Sequence, residues 1–380
     1  MNTDWQILNP PGKKRILVTR NLPGEEWKTV LVTADCRVEI YLGDEAISAE
    51  ELRSAIGDHC DGVLGQLLDE CNDKFFGALA AAGGKVYCNY AVGFNNIDLA
   101  TATRNGIAVG NTPGVLTETT AEHAVALTFA AARRIIEGDR YTRDGKFVRW
   151  MPNLLLGVLL WRKTLGVVGA GRIGSSFTRM MVEGHKMNLL YCDKHHNAAL
   201  EIYLSRYASF LRDQGENPIR WKYVSSIEEL LRESDLISLH VPLTPAMRHL
   251  LNRERLAIMK ENAILVNTSR GPVIDEKALV EHCRIHTNFR AGLDVYEDEP
   301  ALAPGLDQLD NVVLMPHVGS GTLWTRTMMA LIAARNIVGI LKGFPVWHHD
   351  DMKQFLDDDP PEATPSIVNA RELSIPVFKK

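Results

Sequence analysis

No apolar run in this 380-residue sequence approaches the roughly 20 residues that a membrane-spanning helix needs. The longest, from Leu154 to Leu160, is broken by Gly157 and ends at Trp161-Arg162-Lys163, so it reads as core or interface and gives no reason to expect a membrane partner. A basic surplus is also missing. The 42 Lys and Arg stand against 47 Asp and Glu, for a formal charge of -5, which argues against nucleic acid or anionic lipid as the partner. Cysteine is sparse: Cys36, Cys60, Cys71, Cys88, Cys192 and Cys283 form no CxxC pair and no ligand-spaced Cys/His group, so reduced thiols and no metal site are expected. The N-terminus has no charged-then-apolar secretory pattern, which points to a soluble intracellular protein of the cytoplasm or an organelle matrix. With 46% hydrophobic and 23% charged residues, the composition is globular. A small-molecule substrate fits these exclusions best.

The length suits two α/β domains. In the first hundred residues short β-branched runs alternate with helical stretches: Arg15 to Thr19, Thr29 to Thr33, Arg37 to Tyr41, Gly62 to Gly65 and Lys85 to Asn89. That rhythm predicts a parallel sheet. Thr119-Thr120-Ala121-Glu122 has the pattern of a capping box and opens a long helix with apolar spacing at Ala124, Leu127, Ala131 and Ile135, expected to run to Arg143 and to bridge the domains. A second series predicts strands at 165–169, 189–193, 236–240, 263–268, 291–295 and 312–317, followed by a helix from Trp324 to Leu341. The Asp/Pro-rich stretch at 357–361 loosens the pattern, and the tail is expected to return to the first domain. The fold expected is α/β, with two doubly wound parallel-sheet domains of the Rossmann or flavodoxin-like kind and an active-site cleft between them. The boundaries are 1–118 plus 320–380 for a discontinuous substrate-binding domain and 119–319 for a dinucleotide-binding domain.

Gly169-Ala170-Gly171-Arg172-Ile173-Gly174 follows the apolar run Leu165 to Val168 and precedes a helical segment, the context that gives GxGxxG its meaning. The glycines allow a tight turn, close approach of a pyrophosphate and tight helix–strand packing. A second strand ends at Asp193, 19 residues after Gly174, where a carboxylate can accept both ribose hydroxyls. Such a carboxylate repels a 2′-phosphate, so NADH is expected over NADPH. The neighbouring Lys194, His195 and His196 read either as a solvated loop or as phosphate recognition.

Ligands of open α/β sheets bind beyond the carboxyl ends of the strands, and several later strands end in polar groups. These are His240-Val241-Pro242, Thr268-Ser269-Arg270-Gly271, Asp294 leading to Glu297-Asp298-Glu299-Pro300, and Pro316-His317-Val318-Gly319. The Arg270 guanidinium can hold a carboxylate and polarise the adjacent carbonyl. An imidazole titrates near neutrality, so His317 can give or take the proton as hydride moves. Glu299 beside it would orient the ring and favour its protonated form. Taken singly, Arg270 reads more readily as a surface ion-pair former, and Glu299 and His317 read equally as a solvated turn residue and a strand-end histidine. Their convergence is what would make a hydride-transfer site for 2-keto acids.

These motifs, in this order and spacing, resemble the D-isomer-specific 2-hydroxyacid dehydrogenases from about Val63 to Arg335. The resemblance implies Arg270, Glu299 and His317 as the catalytic trio. It implies that Val92 and Gly93, in the loop Asn89 to Asn96, offer backbone N–H groups to the substrate carboxylate. It also implies that NAD is bound through Gly169, Gly171, Arg172, Ile173, Gly174, Asp193, Val241, Pro242, Thr268, Ser269, Arg270, Asp294 and His317.

Within the family the chain is similar to the NADH-dependent hydroxypyruvate reductases of plants and algae, also called glycerate dehydrogenases of photorespiration. The segments that carry this are Gly110 to Glu122, Arg179 to Gly184, Gly271 to Glu276 and Pro365 to Asn369. The implied reaction is reduction of hydroxypyruvate to D-glycerate, and of glyoxylate to glycolate, in a homodimer built on 119–143 and 150–160. Trp150 resembles a residue that closes the partner subunit's substrate site, with a place in the core as the alternative. The ending Val377-Phe378-Lys379-Lys380 departs from the Ser-Lys-Leu of plant relatives, which makes peroxisomal import by that signal doubtful. The rival readings are glyoxylate, phosphohydroxypyruvate or, least of all, formate as the substrate, and an NADH-sensing corepressor-like binding protein on the same fold.

Overall fold

The computed structural model describes residues 4–43, 45–347, 349 and 351–378. The last two residues, on which the targeting expectation partly rests, lie outside them. The chain divides into two compact units, one of Met1–Leu116 with Gly321–Lys380 and the other of Thr117–Ser320.

The first unit holds the strands β1 (Trp5–Leu8), β2 (Lys14–Val18), β3 (Cys36–Tyr41), β4 (Gly62–Gly65), β5 (Val86–Asn89) and β6 (Ala108–Gly110). Their order is β1-β3-β2-β4-β5-β6, parallel except for β1, which pairs antiparallel with β3 at the edge. Every residue of β4 and β5 is buried, the pattern of strands covered on both faces. The sequence reading needs correcting at Thr29 to Thr33. This run belongs to a helix, Glu26–Thr33, because Trp27 and Leu31, four residues apart, bury their side chains on one face. Burying such side chains contributes about 1.5–3 kcal/mol each, more than the β preference of Val and Thr opposes.

The tail returns to this unit. After the helix Leu323–Lys342, closed by Gly343 at φ 73°, Val346 bridges to Thr364 and Val377, and Gly110 to Ile367. Asn369, fully buried, is the main fastening. Its Oδ1 accepts from Val109 N at 2.8 Å, and its Nδ2 donates to Ile107 O at 2.9 Å and to Thr103 Oγ1 at 3.0 Å. Asn369→Ala leaves these backbone groups unsatisfied, with an expected loss of about 2 kcal/mol. Urea unfolding followed by circular dichroism checks it.

The second unit contains seven strands where six are expected: β7 (Thr164–Val168), β8 (Asn188–Cys192), β9 (Trp221–Tyr223), β10 (Leu236–Leu239), β11 (Ile264–Asn267), β12 (Arg290–Leu293) and β13 (Val312–Leu314). All are parallel, in the order β13-β12-β11-β10-β7-β8-β9. The unforeseen β9 is a three-residue edge strand following the helix Ala198–Asp213.

The direction of winding reverses between β7 and β10, the topological switch of a doubly wound sheet. The register is level there: Cys192 lies beside Val168, Val168 beside Leu239, Leu239 beside Asn267, Asn267 beside Leu293 and Leu293 beside Leu314. The residues that follow these six therefore leave the sheet along one edge.

The expected helix from Thr119 to Arg143 is two helices, Thr117–Ala132 and Ile135–Arg143. They part at Arg134, whose φ of 54° is left-handed and cannot continue a right-handed helix. The first buries Ala121, Ala124, Leu127 and Ala131, and the small residue Gly292 lets Leu127 approach β12. The second buries nothing.

Candidate active site

The glycine loop occupies the switch point. Gly169 has φ 92°, and a Cβ there would lie 2.6 Å from His240 O; at Gly174 it would lie 2.0 Å from Gly169 O. A Cβ at Gly171 would meet nothing within 4 Å. Two glycines are thus required by the fold, whereas the third keeps one face of the turn open just before the helix Arg172–His185. Arg172 and Ile173 form the first turn of that helix, and Val241 packs against Gly169. Asp193 follows β8 and ties the loop down: Oδ2 accepts from Ala170 N at 2.7 Å and Oδ1 from Lys194 N at 2.6 Å.

His240 packs on Phe177, with ring centroids 5.2 Å apart, and shares a 2.8 Å hydrogen bond with Ser238. Burial pushes its imidazole down to about 3, so it is a neutral packing group under the loop and not an acid or base near neutrality. An unfolded histidine takes up its proton near pH 6.5, whereas this one does so only near 3. Stability is therefore lost as pH falls through that window. The melting temperature of the wild type is expected to decline from about pH 6.5 to about pH 4, and His240→Gln to decline less steeply over the same range, as read by differential scanning fluorimetry.

After β11, Asn267 shapes the next turn. Its Oδ1 accepts from Ser269 N at 3.0 Å and Ser269 Oγ at 2.7 Å, and its Nδ2 donates to Arg270 O at 3.0 Å. Thr268 Oγ1 is buried with no partner among the described residues. Gly271 permits the chain to pass under the next loop, since a Cβ there would sit 1.7 Å from Tyr296 O.

Asp294, 1% exposed, accepts from Val318 N at 2.8 Å and Gly319 N at 2.7 Å, while its own N–H donates to Asn267 O. His123 Nε2 lies 3.2 Å from its Oδ1. These bonds hold the loop that carries His317 at φ 52°.

His317 Nδ1 and Glu299 Oε2 are 2.8 Å apart, and Glu299 Oε1 accepts from Tyr296 N at 2.9 Å. Burial raises the Glu299 carboxyl, but the hydrogen bond and charge of His317, the Tyr296 N–H and the nearby Arg270 outweigh it and hold the group below the usual carboxylate range. Arg270 is itself lowered by burial and supported by the Glu299 charge, and its Nη1 donates to Ser269 O at 2.6 Å. Arg270, Glu299 and His317 are thus electrostatically coupled. With Nδ1 facing Glu299, the Nε2 edge of His317 points away from that carboxylate.

Pro242 is exposed, and Trp150 is 78% exposed, which removes the core alternative for it. In the first unit, the loop after β5 is fastened by its carbonyls: Asn111 Nδ2 donates to Val92 O at 2.9 Å and Asn89 Nδ2 to Gly93 O at 2.8 Å. No hydrogen bond among the described residues uses the N–H of Val92 or Gly93.

The sequence alone assigns no role to Glu276. Buried at 4% exposure, it accepts from Glu297 N at 2.6 Å and Ala303 N at 2.7 Å, clasping both ends of the loop that carries Glu299. A glutamate in the first turn of a helix carries no local mark of such a distant contact. His123 and Asn111 escape a reading of the sequence for the same reason. Among the described residues no His/Cys/Asp/Glu group could hold a metal, all six cysteines are free, and no helix is long and apolar enough to cross a membrane.

Residues 125–319 match the model of the D-isomer specific 2-hydroxyacid dehydrogenase NAD binding domain. The chain is 52% identical over 378 residues, 98% of each chain, to the peroxisomal glycerate dehydrogenase HPR of Arabidopsis thaliana. The chain belongs to the D-isomer specific 2-hydroxyacid dehydrogenases. The dehydrogenase is also 41% identical, over 87% of its length and 94% of the other's, to a glyoxylate reductase of Korarchaeum cryptofilum. Its structure resembles that of the TT0316 protein of Thermus thermophilus, with a TM-score of 0.77 and 38% identity over 93% and 99% of the two chains. The open face at Gly171, the tethered Asp193 and the buried, unpartnered Thr268 hydroxyl fit a dinucleotide, and the enzyme is an NAD-dependent oxidoreductase.

Proposed function

We propose that this dehydrogenase reduces hydroxypyruvate to D-glycerate with NADH, and glyoxylate to glycolate as a second activity. The similarity to a glycerate dehydrogenase supports this, because hydroxypyruvate is the keto acid formed when the C2 hydroxyl of glycerate is oxidised. Similarity to a glyoxylate reductase supports the smaller substrate. The observation that carries the chemistry is the Glu299–His317 pair coupled to Arg270.

When bound, the nicotinamide supplies the hydride that reaches C2. Arg270 holds the substrate carboxylate in its planar fork and polarises the carbonyl oxygen. His317, oriented by Glu299 through Nδ1, delivers the proton from Nε2 to that oxygen as it gains charge. Glu299, held as a carboxylate, stabilises the imidazolium before the transfer. Asp193 supports NADH over NADPH: its two oxygens are fixed by Ala170 N and Lys194 N, so a 2′-phosphate would meet a carboxylate that cannot swing away.

His317→Ala is expected to lower kcat about 1000-fold while the Kd for NADH changes less than about three-fold. Arg270→Lys is expected to raise KM for hydroxypyruvate and lower kcat together, because the bidentate fork is lost. Steady-state rates of NADH oxidation with hydroxypyruvate, glyoxylate and pyruvate, repeated with NADPH, check the variants and the substrate order. Near-normal turnover in His317→Ala contradicts the assignment.

We also propose a homodimer. Ile135, Val148, Trp150, Leu156 and Leu159 are 51%, 82%, 78%, 63% and 71% exposed, a density of bare apolar side chains that isolated domains avoid. Sedimentation velocity is expected to give a dimer, and Trp150→Ala to raise KM for hydroxypyruvate. A monomer with unchanged KM refutes both.

A further inference from the structure

The segment between β8 and β9 contributes more to the glycine loop than Asp193. Asn197 caps the helix Ala198–Asp213 by accepting from Leu200 N at 3.0 Å through Oδ1. Its Nδ2 turns the other way, donating to Ala170 O at 2.7 Å and to Ser175 Oγ at 3.1 Å. Ser175 Oγ itself donates to Ala170 O at 3.1 Å. The backbone of Asn197 is in turn fixed by its N–H donating to Tyr191 Oη at 3.1 Å, and the hydroxyl of that fully buried tyrosine donates to Glu201.

The middle residue of the Gly169–Gly171 turn is therefore gripped at both ends, its N–H by Asp193 and its carbonyl by Asn197. A trans peptide holds its C=O and N–H on opposite sides. Fixing the Ala170 carbonyl toward Asn197 thus aims the Gly171 N–H the other way, and a Cβ at Gly171 has nothing within 4 Å. That N–H has no acceptor among the described residues and is the first of the donors that a helix N-terminus offers to an anion.

We propose that Asn197 is a positioning residue for the cofactor, setting the peptide plane between Ala170 and Gly171 so that the Gly171 N–H faces the dinucleotide pyrophosphate. The inference rests on the reading of this loop as the dinucleotide site, and it links the segment after Asp193 to cofactor affinity. Asn197 touches no reacting atom, so its contribution appears in binding and not in turnover.

The test must separate the tether from the helix cap. Serine caps a helix nearly as well as asparagine but is too short to reach Ala170 as well, and it adds no charge. Asn197→Ser is expected to raise the Kd for NADH about five-fold, with KM for NADH and the inhibition constant of ADP-ribose rising in step. The kcat at saturating NADH and the melting temperature are expected to stay near those of the wild type, whereas Asn197→Ala lowers the melting temperature as well. Titration of protein fluorescence with NADH, steady-state kinetics and thermal melts supply the readings. If Asn197→Ser binds NADH and ADP-ribose as the wild type does, or lowers kcat with no change in Kd, the assignment is overturned. Failure of the wild type to bind NADH would instead overturn the reading of the loop itself.

Discussion

The level register of β8, β7, β10, β11, β12 and β13 is the constraint on which the rest of the second unit depends. Because Cys192, Val168, Leu239, Asn267, Leu293 and Leu314 lie in line, Asp193, Gly169, His240, Thr268 and Asp294 emerge together at one edge. A slip of one residue would reverse the faces of a strand and bring a different residue to that edge. The apolar side chains of these strands forbid such slips: Leu165, Val167, Ile237, Leu239, Leu265 and Ala291 are all fully buried. Hydrophobic packing in the sheet thus fixes the positions of polar groups that contribute little to the core.

Beyond the strand ends the same physical device recurs. Asp193 accepts from Ala170 N and Lys194 N, Asp294 from Val318 N and Gly319 N, Glu276 from Glu297 N and Ala303 N, and Glu299 from Tyr296 N. Each carboxylate satisfies backbone donors that an irregular loop would leave unpaired, and hydrogen bonds to a charged acceptor contribute about 1.5–3 kcal/mol each. The loops carrying Glu299 and His317 are consequently held by side chains from other elements, Glu276 and Asp294, while the Arg270 turn is held by the amide of Asn267 at the end of its own strand. This gives each a defined course without regular secondary structure.

How legible the structure is in the sequence differs by type of interaction. Strands whose burial is continuous, such as β7, β10 and β11, show as apolar runs, and the polar residues after them mark the edge. Thr29 to Thr33 misleads because its decisive contacts, Trp27 and Leu31 at helical spacing, are tertiary, while its β-branched composition is local. The edge strands β1 and β9 escape notice, since a strand with one neighbour and three or four residues carries little hydrophobic signal. The break at Arg134 leaves no mark either, because arginine has no special preference for a left-handed backbone. In the site, Arg270, Glu299 and His317 are visible as polar groups following apolar strands. Glu276, His123 and Asn197 are not, their roles consisting of bonds to residues far along the chain.

His317 shows how these interactions are weighed against one another. Its φ of 52° is left-handed, and holding a non-glycine residue there costs about 1–3 kcal/mol. Opposing this, Asp294 accepts from the next two N–H groups, Val318 and Gly319, and its own carbonyl accepts from His317 N at 2.9 Å. Two charge-assisted bonds at about 1.5–3 kcal/mol each offset the strain, even at the low end of that range. The strained backbone turns the imidazole to meet Glu299 through Nδ1, with Nε2 on the opposite edge of the ring. Asp294 therefore acts on His317 through the backbone: the carboxylate that steadies the turn also makes an otherwise unfavourable orientation of the ring the stable one.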